Sequence, residues 1–204
     1  VATAVWGILD FGINLDSANA GDLGRAYAHR YLLAKENEAV KEEIKKINRD
    51  IFEAKNRKIQ LIYKKGKKIS IEYFKKIYQI LGTKFDYYFF ESEVAFAGKK
   101  IVEHGLGKGV FERGEKGAVV FRGEKLGLHT RVFLNTEGLP TYEAKEMALA
   151  KAKQVKFRHD KSLIVTANEI NDYFKVMLAV MSALLPELAK KTIHISHGML
   201  KLAT

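Results

Sequence analysis

An α/β fold with a parallel sheet in its C-terminal third is predicted by three observations. β-prone apolar runs at 132–134, 162–166 and 192–195 alternate with helical stretches, the pattern that builds βαβ units. An apolar content of 47% over 204 residues suffices for one large core or two small ones. Upstream of residue 130 the pattern is mainly helical, followed by a glycine-rich stretch of short strands.

From about Asp22 to Lys64 the spacing predicts helix, with Ile44, Ile47 and Ile51 at i, i+3 and i+7 and charged residues between them. Lys65-Gly66 predicts a break. A second helix is expected from an N-cap at Ser70 to Gly82, with Ile71, Phe74, Ile77, Tyr78 and Leu81 on one stripe. The aromatic run 85–90 reads as a strand or buried hinge, and 91–105 as a short helix with Val94, Ile101 and Val102 inward. Gly105, Gly107 and Gly109 lack the strand-before, helix-after setting that a phosphate loop requires, and the segments after them read as short strands.

The run 131–146, RVFLNTEGLPTYEAKE, then predicts strand, tight turn and helix, with Pro140 in the first helical turn. Tyr142 and Glu146 stand at i and i+4, so both leave one face. A carboxylate beside a phenol suits a planar cation, because it accepts two parallel hydrogen bonds from a guanidinium. Taken alone, a Tyr and a Glu four apart read as a solvated surface pair far more often than as a ligand clamp.

Beyond it, 162–166 predicts a buried strand, Asn168 an N-cap, and Ile170, Phe174, Met177, Leu178 and Met181 the apolar face of a helix ending near Pro186. The strand 192–195 completes the alternation. Ligands of parallel sheets bind beyond the carboxyl ends of the strands, which singles out the 166–169 turn and the segment 197–199. His194 and His197 lack a third ligand nearby in sequence, so no metal site is expected, and no nucleophile motif points to hydrolysis.

Composition sets outer bounds. Thirty-five Lys and Arg against 24 Asp and Glu give +11, which favours a polyanionic partner or describes a solvated basic face. With no Cys, disulfides and thiolate zinc sites are excluded and a reducing, cytosolic setting is permitted. Runs such as 176–185 are too short to cross a bilayer, and residues 1–11 lack a secretory pattern. Opening on Val1 and closing on Thr204 without a cap, the chain is expected to be a piece of a longer polypeptide.

Four segments, in order, resemble one family. FDYYFFESE at 85–93, GAVVFR at 117–122 with RVFLNTEGLPTYEAKE at 131–146, SLIVTANEINDYF at 162–174, and HISHGMLKL at 194–202 are similar to blocks of the arginyl-tRNA synthetase catalytic domain, a class I aminoacyl-tRNA synthetase. The helical stretch around 23–27 and the run SIEYFKKIYQILGTKFD also fit, so the resemblance covers nearly the whole chain.

The resemblance implies part of a Rossmann-type parallel-sheet catalytic domain with a mainly helical insertion and a small β-containing one. Residues 1–24 would be the tail of the first Rossmann half, 25–130 the inserted region (helical 25–82, mixed α/β 83–130), and 131–204 the second half. It implies ATP-dependent activation of arginine, with Mg2+, and transfer to tRNA(Arg) by a cytoplasmic, monomeric enzyme. Tyr142 and Glu146 would read the guanidinium, where many relatives carry Asp in place of Glu. Asn168 and Glu169 would line the amino-acid and ATP pocket, in an Ala-Asn-Glu turn where the family has Gly-Ala-Asp. His197, Gly198 and Met199 would meet adenine through their backbone. Neither class I signature, His-Ile-Gly-His or Lys-Met-Ser-Lys, occurs in the chain, so residues 1–204 alone are expected to be inactive. The competing reading is a noncatalytic basic module that binds RNA through its helices.

Overall fold

The computed structural model describes residues 1–198, side chains 29–36 excepted. It divides into two compact units, Val1–Tyr88 and Phe89–Thr204.

The first unit is helical: α1 (Ala2–Phe11), α2 (Ala20–Glu36), α3 (Glu38–Glu53) and α4 (Arg57–Ile80). Its core gathers Val5, Trp6 and Ile8 of α1, Ala26 of α2, Ile47 of α3, and Ile59 and Ile62 of α4. The breaks fall where asparagines cap helices. Asn37 Oδ1 accepts from the amides of Ala39 and Val40, and Asn56 Oδ1 from that of Ile59 after Ala54 turns left-handed at φ 55°. The predicted break at Lys65-Gly66 is absent, and α4 runs straight through it. Ser70 is no N-cap: its hydroxyl donates to the Gly66 carbonyl one turn back. An interior glycine costs a helix about 1 kcal/mol, too little to end one whose first half is anchored by Ile59 and Ile62.

The expected stripe of α4 is not covered: Phe74 is 44% and Leu81 70% exposed. Residues 85–90 likewise form neither strand nor buried hinge, with Phe85 and Tyr87 exposed.

The second unit begins with α5 (Glu91–Gly107), where Val94 and Val102 point inward as predicted. Glu93 folds back to accept a hydrogen bond from the Phe90 amide. The glycines at its end serve packing: a side chain at Gly105 would stand 2.6 Å from the Phe111 ring, and Gly109 turns the chain out at φ 72°. Strands β1 (Glu112–Arg113), β2 (Val119–Phe121) and β3 (Arg131–Leu134) make an antiparallel sheet. α6 (Tyr142–Phe157) follows, then β4 (Ser162–Ala167), α7 (Asn171–Leu184), α8 (Pro186–Lys191) and β5 (Thr192–His197).

Only β4 and β5 form the predicted parallel arrangement, in register from Ser162↔Thr192 to Ala167↔His197 across the α7–α8 crossover. β3 joins β2 instead, because a short connection makes an antiparallel partner cheap to bring together. The core packs Phe133, Met147, Phe174, Met177 and Met181, all fully buried, between the antiparallel sheet and the helices. β4 is not the buried strand expected from its composition. Leu163 and Val165 are 60% and 63% exposed, and Ile193 and Ile195 of β5 lie open beside them.

Candidate functional site

The segment 131–146 is fastened by short-range bonds. Asn135 Oδ1 accepts from the Glu137 and Leu139 amides at 3.0 and 2.9 Å, and Gly138 completes the turn at φ 70°. Pro140 lies ahead of the helix, bridged to Leu134, and not in the first helical turn as predicted. Thr141 takes the N-cap position. Its hydroxyl donates to the Val132 and Phe133 carbonyls at 2.9 and 3.2 Å, so the helix start is tied to the end of β3. Deeper along α6, Gly98 of α5 lies so close that a Cβ would come within 2.6 Å of the Ala144 carbonyl.

That anchoring presents Tyr142 and Glu146 on one face of α6, in different surroundings. Tyr142 is half exposed, whereas Glu146 is only 9% exposed. Among the described residues no cation lies within 4.0 Å of the Glu146 carboxylate and no donor bonds to it. Burial therefore pushes its pKa up; Lys153 pulls it partly back and Glu91, itself bonded to Lys145, pushes it further up. Burial also lowers the pKa of Lys153, whose ammonium donates to Ser162 Oγ at 3.2 Å. The Tyr142 phenol is raised by burial and by Glu146, Glu91 and Glu143. On the neighbouring turn Arg131 stands 3.8 Å from Glu143.

Tyr173 is the residue that sequence reasoning passed over. Its ring lies 5.2 Å from that of Tyr142, and its hydroxyl is buried with no hydrogen-bond partner among the described residues. Burial, then the Glu146 carboxylate, raise its pKa. The signal was available: Tyr173 shares a stripe with Met177, and a phenol on a buried stripe brings a hydroxyl that needs a partner. From Tyr173 the ring contacts continue to Phe174 at 5.0 Å and on to His194 of β5, stacked on Phe174 at 3.9 Å. His194 also bonds Thr166 of β4 at 2.7 Å. Aromatic packing thus links the α6 face to both parallel strands.

At the carboxyl ends of those strands the Ala167↔His197 pairing sets two exits side by side. Asn168 and Glu169 leave one and His197 and Gly198 the other, all four exposed; Met199 lies outside the described residues. Asn168 is not the expected N-cap. It opens a 3-10 turn over Asn168–Ile170, and α7 begins only at Asn171. His197 Nδ1 lies 2.8 Å from the Gly198 carbonyl oxygen. Among the described residues no three His, Cys, Asp or Glu side chains converge into a set that could hold a metal ion. No described helix is long and apolar enough to cross a membrane.

No family model matches the chain. Among curated relatives, an arginine–tRNA ligase of Treponema denticola is 31% identical over 183 residues, covering 89% of this chain and 30% of the relative. That of Amoebophilus asiaticus is 29% identical over 153 residues, 75% of this chain and 26% of the relative. The chain therefore spans about a quarter to a third of these relatives' length. Among solved structures, the arginyl-tRNA synthetase of Plasmodium falciparum superposes with a TM-score of 0.70 at 16% identity, over 97% of this chain and 34% of that one. At that identity the superposition speaks to the fold.

Proposed function

This chain is a segment of the arginyl-tRNA synthetase family, and from that premise we propose that its α6 face reads the guanidinium of arginine in a full-length arginine–tRNA ligase. The observation that carries the reading is the Glu146 carboxylate, almost buried, with only the more distant Lys153 to offset it and no cation within 4.0 Å among the described residues. A carboxylate so placed is destabilised until a cation arrives, and a guanidinium brings both charge and a two-pronged hydrogen-bond donor. Tyr142, one turn away and half open, supplies a ring edge and a hydroxyl beside it. Lysine, a point cation, satisfies the charge but not the fork.

Asn168 and Glu169 would then line the amino-acid and nucleotide pocket, with His197, Gly198 and Met199 meeting the adenine. The side-by-side exits of β4 and β5 support that division of labour. ATP, tRNA and Mg2+ belong to the same proposal, as do a monomeric state, a cytoplasmic setting and the division at residues 24 and 130 into a Rossmann-half tail, an insertion and a second Rossmann half. The residues of this segment bind and orient; charge stabilisation on the phosphates falls to the two signature motifs that the chain lacks.

The test is hydrogen exchange on the full-length ligase. Arginine should slow exchange of amides in 141–150 and lysine should not. Protection by neither, or equally by both, would remove the reading.

A further inference from the structure

Helix α4 carries eight Lys and Arg against a single carboxylate, Glu72. Solvation alone does not account for it. α3, in the same unit, carries both signs and pairs them along its surface, Lys41 with Glu38 and Lys45 with Glu42. On α4, carboxylate pairings include Lys65 with Asp16 and Lys68 with Glu72, the latter at 3.9 Å. Arg57, Lys64 and Lys75 have no carboxylate partner among the described residues and are exposed.

Position sharpens the contrast. At 100° per residue Arg57, Lys64, Lys68 and Lys75 fall within about 40° of one another, forming one line about 27 Å long. Ile59 and Ile62, the residues that hold α4 in its core, face the opposite side. Flanking the line at its C-terminal end is a series of touching rings: Phe74 and Tyr78 with centroids 6.3 Å apart, Tyr78 and Phe85 at 4.7 Å, Phe85 and Tyr88 at 6.2 Å. Phe74 and Phe85 are 44% and 49% exposed. A straight row of four cations, three of them without a carboxylate partner among the described residues, fits a regular polyanion, and open rings beside it fit unstacked bases.

We propose that the α4 line is an RNA-docking surface, with Arg57, Lys64, Lys68 and Lys75 meeting phosphates along a strand and the Phe74 to Phe85 rings against unpaired bases. The inference deepens the ligase reading by assigning the RNA a surface, but it does not depend on Glu146. It makes the contact sequence-tolerant and salt-sensitive, because phosphates carry the affinity.

The experiment uses the full-length ligase, with binding of an unmodified tRNA transcript measured across a salt series. K64Q/K75Q should weaken binding about tenfold near 0.1 M salt and lower the salt slope by about 2. The α3 substitution K41Q/K45Q should leave both unchanged. Arginine-induced thermal stabilisation should be the same in all three proteins, which also shows that the variants fold. An unchanged affinity and slope in K64Q/K75Q, or an equal loss in K41Q/K45Q, overturns the proposal. So does a loss confined to anionic lipid vesicles with tRNA binding intact. If arginine stabilises none of the proteins while the RNA results hold, the α6 reading fails and this one stands.

Discussion

Glu146 gives the sharpest consequence at the scale of a residue. Its folded-state pKa is raised, so protonation favours the native state: its contribution is complete below the unfolded value and is lost as pH rises through the folded one. A bound guanidinium reverses this by favouring the carboxylate. Arginine affinity should therefore rise with pH up to the raised pKa and then level off, with a proton released on binding below it, measurable by calorimetry in two buffers of different ionisation enthalpy. Glu146→Gln should weaken arginine binding by about 100-fold, ~3 kcal/mol, and flatten that pH profile, while leaving the free protein as stable or more stable at neutral pH. Tyr173→Phe removes a buried hydroxyl that has no partner among the described residues. The melting temperature of the ligand-free protein should hold or rise. If instead the hydroxyl meets arginine, the arginine KM should increase with little change in kcat, a split that a packing role alone would not produce. The phenol and carboxylate at i and i+4 were legible in the sequence because helix geometry fixes their common face. Their unequal burial was not, since it depends on α5 and α7, which reach them from distant positions.

Among elements, the pair α5 and α6 decides where that face sits. Gly98→Ala sets two effects against each other: about 1 kcal/mol gained in helix propensity, and a Cβ forced to 2.6 Å from the Ala144 carbonyl. The clash involves backbone, which cannot turn aside, so it wins. A net loss of about 1–3 kcal/mol is expected, read as a lowered melting temperature together with weaker arginine binding as α6 is displaced. Thr141→Ala should act on the same helix more mildly, by about 1 kcal/mol, through loss of the bonds to Val132 and Phe133. Element existence was readable from periodicity for α3, α5, α7 and the parallel strands. Element ends were less so: Gly66 carried the signal of a stop yet sits inside a helix, whereas Asn37 and Asn56 supplied the caps. Pairing of β3 was misread because alternation with helices says nothing about which neighbour a strand chooses, and β2 was nearer along the chain.

For the molecule as a whole, the resemblance carried the order of segments, and the structural superposition over 97% of the chain agrees with it. What it could not supply was the distribution of charge in space: the net +11 was visible from composition, but its alignment on α4 depends on where α2 to α4 begin and end. Residues 1–204 should support no arginine-dependent exchange between ATP and pyrophosphate; measurable exchange would show that the two signature motifs are dispensable for activation. The β4–β5 pair presents Leu163, Val165, Ile193 and Ile195 to solvent on one face, although parallel strands are normally covered on both. An exposed apolar face of this kind is a site for association with other apolar surface. Expressed alone, the chain should bind a hydrophobic dye and tend to self-associate.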